Sequence, residues 1–149
     1  MKSISIQIIE TYKRLLDMGL NIGSEGNISV KKEDRVYITP SGIDIKDLQE
    51  EDISIIDLNG LKQNNIKPSS ELDLHLTIYQ SRKEICSVVH CHSQWASTLS
   101  CLRTNIPQFH YMIAEFGGDD IKCSKYATFG TTKLANLVLA ACRDRKGCL

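Results

Sequence analysis

The sequence has no surplus of charge of either sign: 18 Lys and Arg stand against 18 Asp and Glu, for a formal net charge of zero. A nucleic-acid surface draws its affinity from cationic side chains on phosphates, and a polybasic membrane-surface protein needs the same excess. Both classes are disfavoured, and no nucleic-acid or membrane partner is expected. No apolar run approaches the roughly 18–20 residues that a membrane helix needs. Glu10, Lys13, Arg14 and Asp17 interrupt the stretch from Met1 to Leu20, so no apolar core of an export signal forms. None of the cysteines, Cys86, Cys91, Cys101, Cys123, Cys142 and Cys148, stands in a Cys-x-x-Cys pair, which argues against a thiolate zinc knuckle or a thioredoxin-type site. Thiols scattered in this way are expected to be reduced, several of them core filler, in a cytoplasmic compartment. Repeats, low-complexity tracts and interdomain linkers are also missing.

What is present suits one layered domain. The chain has 149 residues, 42% hydrophobic and 24% charged, close to an ordinary globular composition. Ile4, Ile8, Tyr12 and Leu15 recur at helical spacing, with Ser3 placed to cap a helix over 3–18 and Gly19 to stop it. Alternating segments at 28–31 and 35–39 predict two short strands joined by a charged turn. Residues 53–58 predict a buried strand, with Asn59-Gly60 as a hairpin signal. A helix is expected from Pro68-Ser-Ser70, capped by Ser70, to about Gln80, then a strand over 85–92 and a helix from Ser93 to about Leu102. Gly117-Gly118 breaks a mixed stretch, 121–123 predicts a short strand, and Thr131 caps a last helix. Trp95 is read as packing. The element order points to an α/β or α+β layered domain over 1–149.

The sharpest chemical feature is Val88-Val-His90-Cys-His92. On a strand, His90 and His92 share a face, with Cα atoms about 6–7 Å apart. Two neutral imidazoles at that reach can share one zinc ion, although packed or surface histidines at a strand end give the same pattern. Glu71, in Ser69-Ser70-Glu71, opens a helix; it is either a carboxylate favoured by the helix dipole or a general base facing a metal. The Ser69 and Ser70 hydroxyls at that helix start suit an anion such as phosphate. His75 is read as a hydrogen-bonded scaffold residue. Gly26-Asn27 and Ser41-Gly42 are small polar loops of the kind whose backbone N–H groups cradle phosphate, and each alone is also an ordinary turn. Tyr111, Tyr126 and Phe129 lie in stretches without clear core character.

Taken together these segments resemble the class II aldolase/adducin family, near its fuculose-phosphate aldolase branch. The match runs from Gly19 to Val30, through Tyr37-Ile-Thr-Pro-Ser-Gly-Ile43 and Lys67-Pro-Ser-Ser-Glu71, to Val88-Val-His-Cys-His92, Ile106 to Ala114 and Tyr126-Ala-Thr-Phe-Gly-Thr131. The resemblance implies a three-layer α-β-α domain with a central, mainly antiparallel sheet. It implies one Zn2+ per subunit on His90 and His92, with Glu71 as catalytic acid/base. Gly26, Asn27, Ser41, Gly42, Ser69 and Ser70 would line a pocket for the substrate phosphate, and Phe129 the aldehyde side. Tyr111 would donate a proton across a subunit boundary in a homotetramer. The reaction implied is reversible cleavage of a ketose 1-phosphate to dihydroxyacetone phosphate and an aldehyde, lactaldehyde in the fuculose case, through a metal-stabilised enediolate. The third zinc histidine of the pattern falls in a His-His-Gly segment beyond Leu149, so the domain is expected to lack its C-terminal part. Related phosphosugar epimerases and dehydratases, and a non-catalytic adducin-like assembly protein, are the competing expectations.

Overall fold

The computed structural model describes residues 2–149. Helix α1 (Ile4–Asp17) starts on Ser3, whose Oγ accepts the Ile6 N–H at 3.2 Å. It ends as its apolar spacing demands: Gly19 takes a left-handed φ of +67°, so that Gly19 N–H reaches Leu16 O and Leu20 N–H reaches Leu15 O. Four short strands follow the helix in two groups, β1 (Asn27–Lys32), β2 (Arg35–Ile38) and β3 (Ser54–Asp57), then β4 (Ser87–His90). They form one sheet in the order β3-β2-β1-β4, every pair antiparallel. Between β3 and β4 lies α2 (Leu72–Ser81), and after β4 come α3 (Gln94–Cys101), a 3-10 turn (Tyr111–Phe116) and α4 (Thr132–Ala141).

The period-2 alternation of the strands decides which helix covers which face. Ile28 and Val30 of β1 and Tyr37 of β2 pack with Ile8, Ile9 and Tyr12 of α1, along with Ile45, Leu48 and Ile53. Val36 and Ile38 of β2, Ile56 of β3 and Val88 of β4 point the other way, onto Leu76 and Tyr79 of α2. On its far side α2 packs Leu74 and Ile78 against Ala135 and Val138 of α4. The order through the molecule is therefore α1, sheet, α2, α4: helices on both faces of an antiparallel sheet, as expected. On β1 the buried residues that face α2 are Asn27 and Ser29. The middle of this apolar layer is thus polar, and the site grows out of it.

Several expectations are corrected. Ser70 does not cap α2: Glu71 occupies the cap position, and its N–H is received by Ser69 Oγ at 3.3 Å. Pro68 pairs with Pro40 as an extended bridge because proline here precedes the helix instead of opening it. The turn at Asn59-Gly60 forms, but beyond it the returning chain makes one bridge, Ile56 with Lys62, and not a strand. Residues 121–123 likewise give a single bridge, Ile106 with Ile121. Trp95 is 79% exposed, since α3 has no buried residue. The cysteines are not core filler: all six are free, and each is exposed or half-buried. Among the described residues no helix is long and apolar enough to cross a membrane.

Ile56 is fully buried at the joint between β3 and α2. Truncation to Ala removes its packing and leaves a cavity, for a loss of about 2–5 kcal/mol in urea unfolding followed by circular dichroism. A loss below about 1 kcal/mol would show that this face of the sheet is loosely packed.

Candidate active site at the end of the sheet

The antiparallel register sets Asn27 of β1 opposite His90, the last residue of β4. His92 lies two residues beyond, where the strand has ended, and its backbone N–H is held by Leu20 O at 3.0 Å and Asn21 Oδ1 at 2.9 Å. The two imidazoles lie side by side, ring centres 4.7 Å apart and tilted by 41°. Gly26 allows this approach. Its φ is +73°, and a Cβ there would sit 2.5 Å from His90 O and 2.6 Å from the Asn21 amide nitrogen. No larger residue fits between the loop before β1 and the end of β4.

Glu71, 8% exposed, reaches this corner from the start of α2. Its Oε2 lies 2.6 Å from His90 Nδ1 and accepts the Asn27 amide N–H at 3.0 Å. Burial alone would push the carboxyl pKa up, but the His90 hydrogen bond and charge, with the Asn27 amide, outweigh it and bring it down to about 2. Glu71 is therefore an ionised carboxylate with its charge held in place. A His90 ring that gives its Nδ1 hydrogen to Glu71 keeps, when neutral, a bare Nε2 for a further partner.

Behind Asn27, His75 is fully buried. Its Nε2 bonds Asn27 Oδ1, and its Nδ1 bonds Ser29 Oγ at 2.7 Å. Burial and the neighbouring His90 charge lower its pKa to about 3, against the opposing pull of Glu71. Ser29 Oγ also bonds Tyr79 Oη at 2.7 Å. Ser29, Thr39, Asn21 and Tyr79 are site-supporting residues that sequence reasoning missed. A signal existed for two of them: Asn27-x-Ser29 is strand spacing, and His75 and Tyr79 stand four apart on one side of a helix.

The loops that flank Glu71 are tied to each other. Ser41 N–H bonds Lys67 O, and Ser69 N–H bonds Thr39 O, both at 3.0 Å around the Pro40–Pro68 bridge. Ser41-Gly42 and Ser69-Ser70 are thereby neighbours, and Thr39 ties them to β1 by accepting the Ile28 N–H. Gly42 has a φ of +81° and no atom within 4 Å of where a Cβ would sit, so its backbone faces open space. Gly130 lies so close that a Cβ would be 2.9 Å from Ser70 O, which brings the Phe129 segment against the same loop; Phe129 itself is 70% exposed. Tyr111 is not part of this cluster. It is 80% exposed on the 3-10 turn, and its ring lies against His110.

The donor types suit a zinc ion, with two imidazoles side by side and a carboxylate on one of them. Among the described residues no group of three or more His, Cys, Asp or Glu is disposed to hold one metal. His90 and His92 therefore fit as the histidine pair of a site and not as a complete one.

Residues 6–149 match the model of the class II aldolase and adducin N-terminal domain. The chain belongs to this family. Among relatives of this class II aldolase/adducin domain, the 5-methylthioribulose-1-phosphate/5-deoxyribulose-1-phosphate aldolase of Rhodospirillum rubrum is 44% identical over 142 residues, which cover 95% of this chain and 64% of that protein. The L-fuculose phosphate aldolase of Escherichia coli K12 is also 44% identical, over 96% of this chain and 66% of its own length. The chain thus spans about two thirds of the length of these relatives. A solved L-fuculose 1-phosphate aldolase superposes with a TM-score of 0.92 at 38% identity, over 98% of this chain and 71% of that one. A sugar-phosphate aldolase from Thermotoga maritima, at 19% identity and a TM-score of 0.74 over 95% of this chain and 78% of that one, shares the fold.

Two outcomes follow from the site's packing and charge. Gly26→Ala adds a Cβ against backbone at a left-handed φ, a cost of about 1–3 kcal/mol or more, read as a lowered urea midpoint; an unchanged midpoint would mean the β1–β4 corner is free to spread. The pH dependence has a defined sign. The folded His75 takes its proton at about 3 instead of its ordinary 6.5, so unfolding is favoured by protonation: stability is complete above about 6.5 and falls as pH drops towards 3. Glu71, lowered from 4.5 to about 2, adds its loss only below about 4.5. His75→Gln should flatten the fall between about pH 6.5 and 4.5, and an equally steep profile in that variant would remove His75 as its origin.

Proposed function

We propose that this chain carries the site of a metal-dependent aldolase that cleaves a ketose 1-phosphate of the L-fuculose 1-phosphate type to dihydroxyacetone phosphate and lactaldehyde, reversibly. The observation that supports it most is the buried Glu71 carboxyl 2.6 Å from His90, whose ring lies beside that of His92, next to two tied polar loops. A carboxylate held in its base form is what proton removal from a carbon next to a carbonyl requires.

In the condensation direction Glu71 takes a proton from the hydroxymethyl carbon of dihydroxyacetone phosphate. That carbon then forms the new bond to the aldehyde; in cleavage the steps reverse, Tyr111 takes the hydroxyl proton, the carbon–carbon bond breaks, and Glu71, protonated in this direction, then gives its proton to the carbon. His90 and His92 would hold Zn2+, which when bound polarises the carbonyl oxygen as a Lewis acid. The backbone and hydroxyls of Ser41, Gly42, Ser69 and Ser70, with Gly26 and Asn27, form the concave polar edge for the phosphate. Phe129, the neighbour in sequence of the Gly130 that packs on Ser70, lines the aldehyde side. Tyr111 acts from a neighbouring copy as the proton donor to the aldehyde oxygen; its 80% exposure within one copy leaves it available for that role. The assembly is a homotetramer and the setting cytoplasmic metabolism.

Equal identity to relatives named for fuculose phosphate and for 5-deoxyribulose 1-phosphate makes the second sugar the competing substrate. The test is dihydroxyacetone phosphate release from each ketose 1-phosphate by zinc-supplied protein. L-fuculose 1-phosphate should be turned over best, and Glu71→Gln should lower kcat by about 100-fold or more. His90→Ala should abolish stoichiometric zinc. Release from neither sugar, or turnover indifferent to Glu71→Gln, would overturn the proposal; preference for 5-deoxyribulose 1-phosphate would reassign the aldehyde.

A further inference from the structure

Resting on the reading of Glu71 as the reacting base, we propose that His75 is a positioning residue: with Ser29 and Tyr79 it fixes which way the Asn27 amide points, and through Asn27 it holds the Glu71 carboxylate in register with His90. The argument is one of donors and acceptors in a place without water. Tyr79, Ser29 and His75 are fully buried, and Asn27 and Glu71 are 5% and 8% exposed. The Asn27 amide N–H is donated to Glu71 Oε2 at 3.0 Å, so the amide end of Asn27 faces the Glu71 carboxyl. The carbonyl end of Asn27 is then turned to His75 Nε2, which must carry a hydrogen. Burial keeps the ring neutral near pH 7, with one hydrogen to place. His75 Nδ1 is therefore bare and accepts from Ser29 O–H at 2.7 Å. Ser29 Oγ, its hydrogen committed, accepts from Tyr79 O–H at 2.7 Å.

Each of these steps leaves a single direction. Turning Asn27 over would set its carbonyl against the Glu71 carboxylate, two acceptors in contact where no water can intervene, at the cost of an unmade buried hydrogen bond. The elements that supply the chain are also the ones that carry the site: β1 gives Asn27 and Ser29, and α2 gives Glu71, His75 and Tyr79. A signal on the ring of His75 therefore reports the orientation at Glu71, two side chains away. None of these three supporting residues needs to touch substrate.

The experiment is long-range 1H–15N NMR on the full chain with 15N-labelled histidine, read at neutral pH, together with steady-state kinetics. His75 is expected as the pure Nε2–H tautomer in the wild-type protein. In Glu71→Gln the side chain at 71 can donate as well as accept, the constraint on Asn27 is lifted, and His75 should become a mixture of tautomers. A merely structural packing role would leave the tautomer unmoved by a change at position 71. In His75→Leu kcat should fall about 10–100-fold with KM little changed, and His75→Gln, which keeps a donor near the Nε2 position, should recover part of the loss. An Nδ1–H or doubly protonated His75 in the wild-type protein overturns the proposal without any variant having to fold. So does an Nε2–H tautomer that persists unmixed in Glu71→Gln, or a folded His75→Leu with wild-type kcat. The NMR arm needs no turnover: the expected tautomers in a protein that releases no dihydroxyacetone phosphate would sink the aldolase proposal and leave the orientation of Asn27 and Glu71 standing.

Discussion

Asn27 has one end that accepts hydrogen bonds and one that donates them, and both are bound inside the protein, to His75 and to Glu71. The rest of the site depends on that side chain staying in place. It sits at the start of β1, where the register with β4 puts it opposite His90, and it faces α2, whose first residues bring in Glu71. A shift of one residue in the β1–β4 register would turn Asn27 and Ser29 to the α1 side and bury Ile28 and Val30 against His75 and Tyr79. Every polar group in the layer would then lose its partner at once, and this penalty complements the apolar packing in holding the register.

The polar centre is affordable because its surroundings are apolar and complete. Val36, Ile38, Ile56 and Val88 close the sheet face around it, and Leu76 and Tyr79 close the helix face. Water that would compete for Ser29 and His75 is kept out, and the low local polarity is what makes an unpaired group there costly. The same exclusion stops short of Glu71, which lies at the mouth of the layer beside the half-exposed His90. One continuous hydrogen-bonded chain thus runs from the dry interior to the surface, rigid at one end and accessible at the other. The loops at the mouth are tethered by backbone bonds between Thr39, Ser41, Lys67 and Ser69. That tethering holds the N–H groups and hydroxyls of Ser41-Gly42 and Ser69-Ser70 side by side at one edge of the candidate site.

Much of the scaffold was legible along the chain. Helix α1 announces itself by Ser3, its apolar spacing and Gly19, and α4 by Thr131, because caps and stops are local chemistry. The hairpin of β1 and β2 is equally local. Trp95 and the cysteines misled for the converse reason: an apolar side chain says nothing of which face will be covered, and α3 packs no residue into the core. The 121–123 strand failed because a three-residue segment, Ile121-Lys-Cys123, without a long partner makes a bridge and no more. At the site, His90, His92 and Glu71 stood out by residue type. Ser29, Thr39 and Tyr79 did not, since an isolated hydroxyl in a strand or helix looks the same whether it faces water or a buried histidine.

The sequence by itself therefore determined the alternation of elements, the caps of α1 and α4 and the residue types that mark the candidate site, all of which depend on neighbours within a few residues. The tertiary structure alone decided that Asn27, Glu71, His75 and His90 form one hydrogen-bonded unit. Their separations along the chain range from 4 to 63 residues, and the contact arises only when the strand register and the α2 position are both set. It also decided the charge of that unit: an ordinary carboxyl and an ordinary imidazole become a fixed anion and a fixed neutral ring because folding removes water from one and pairs the other.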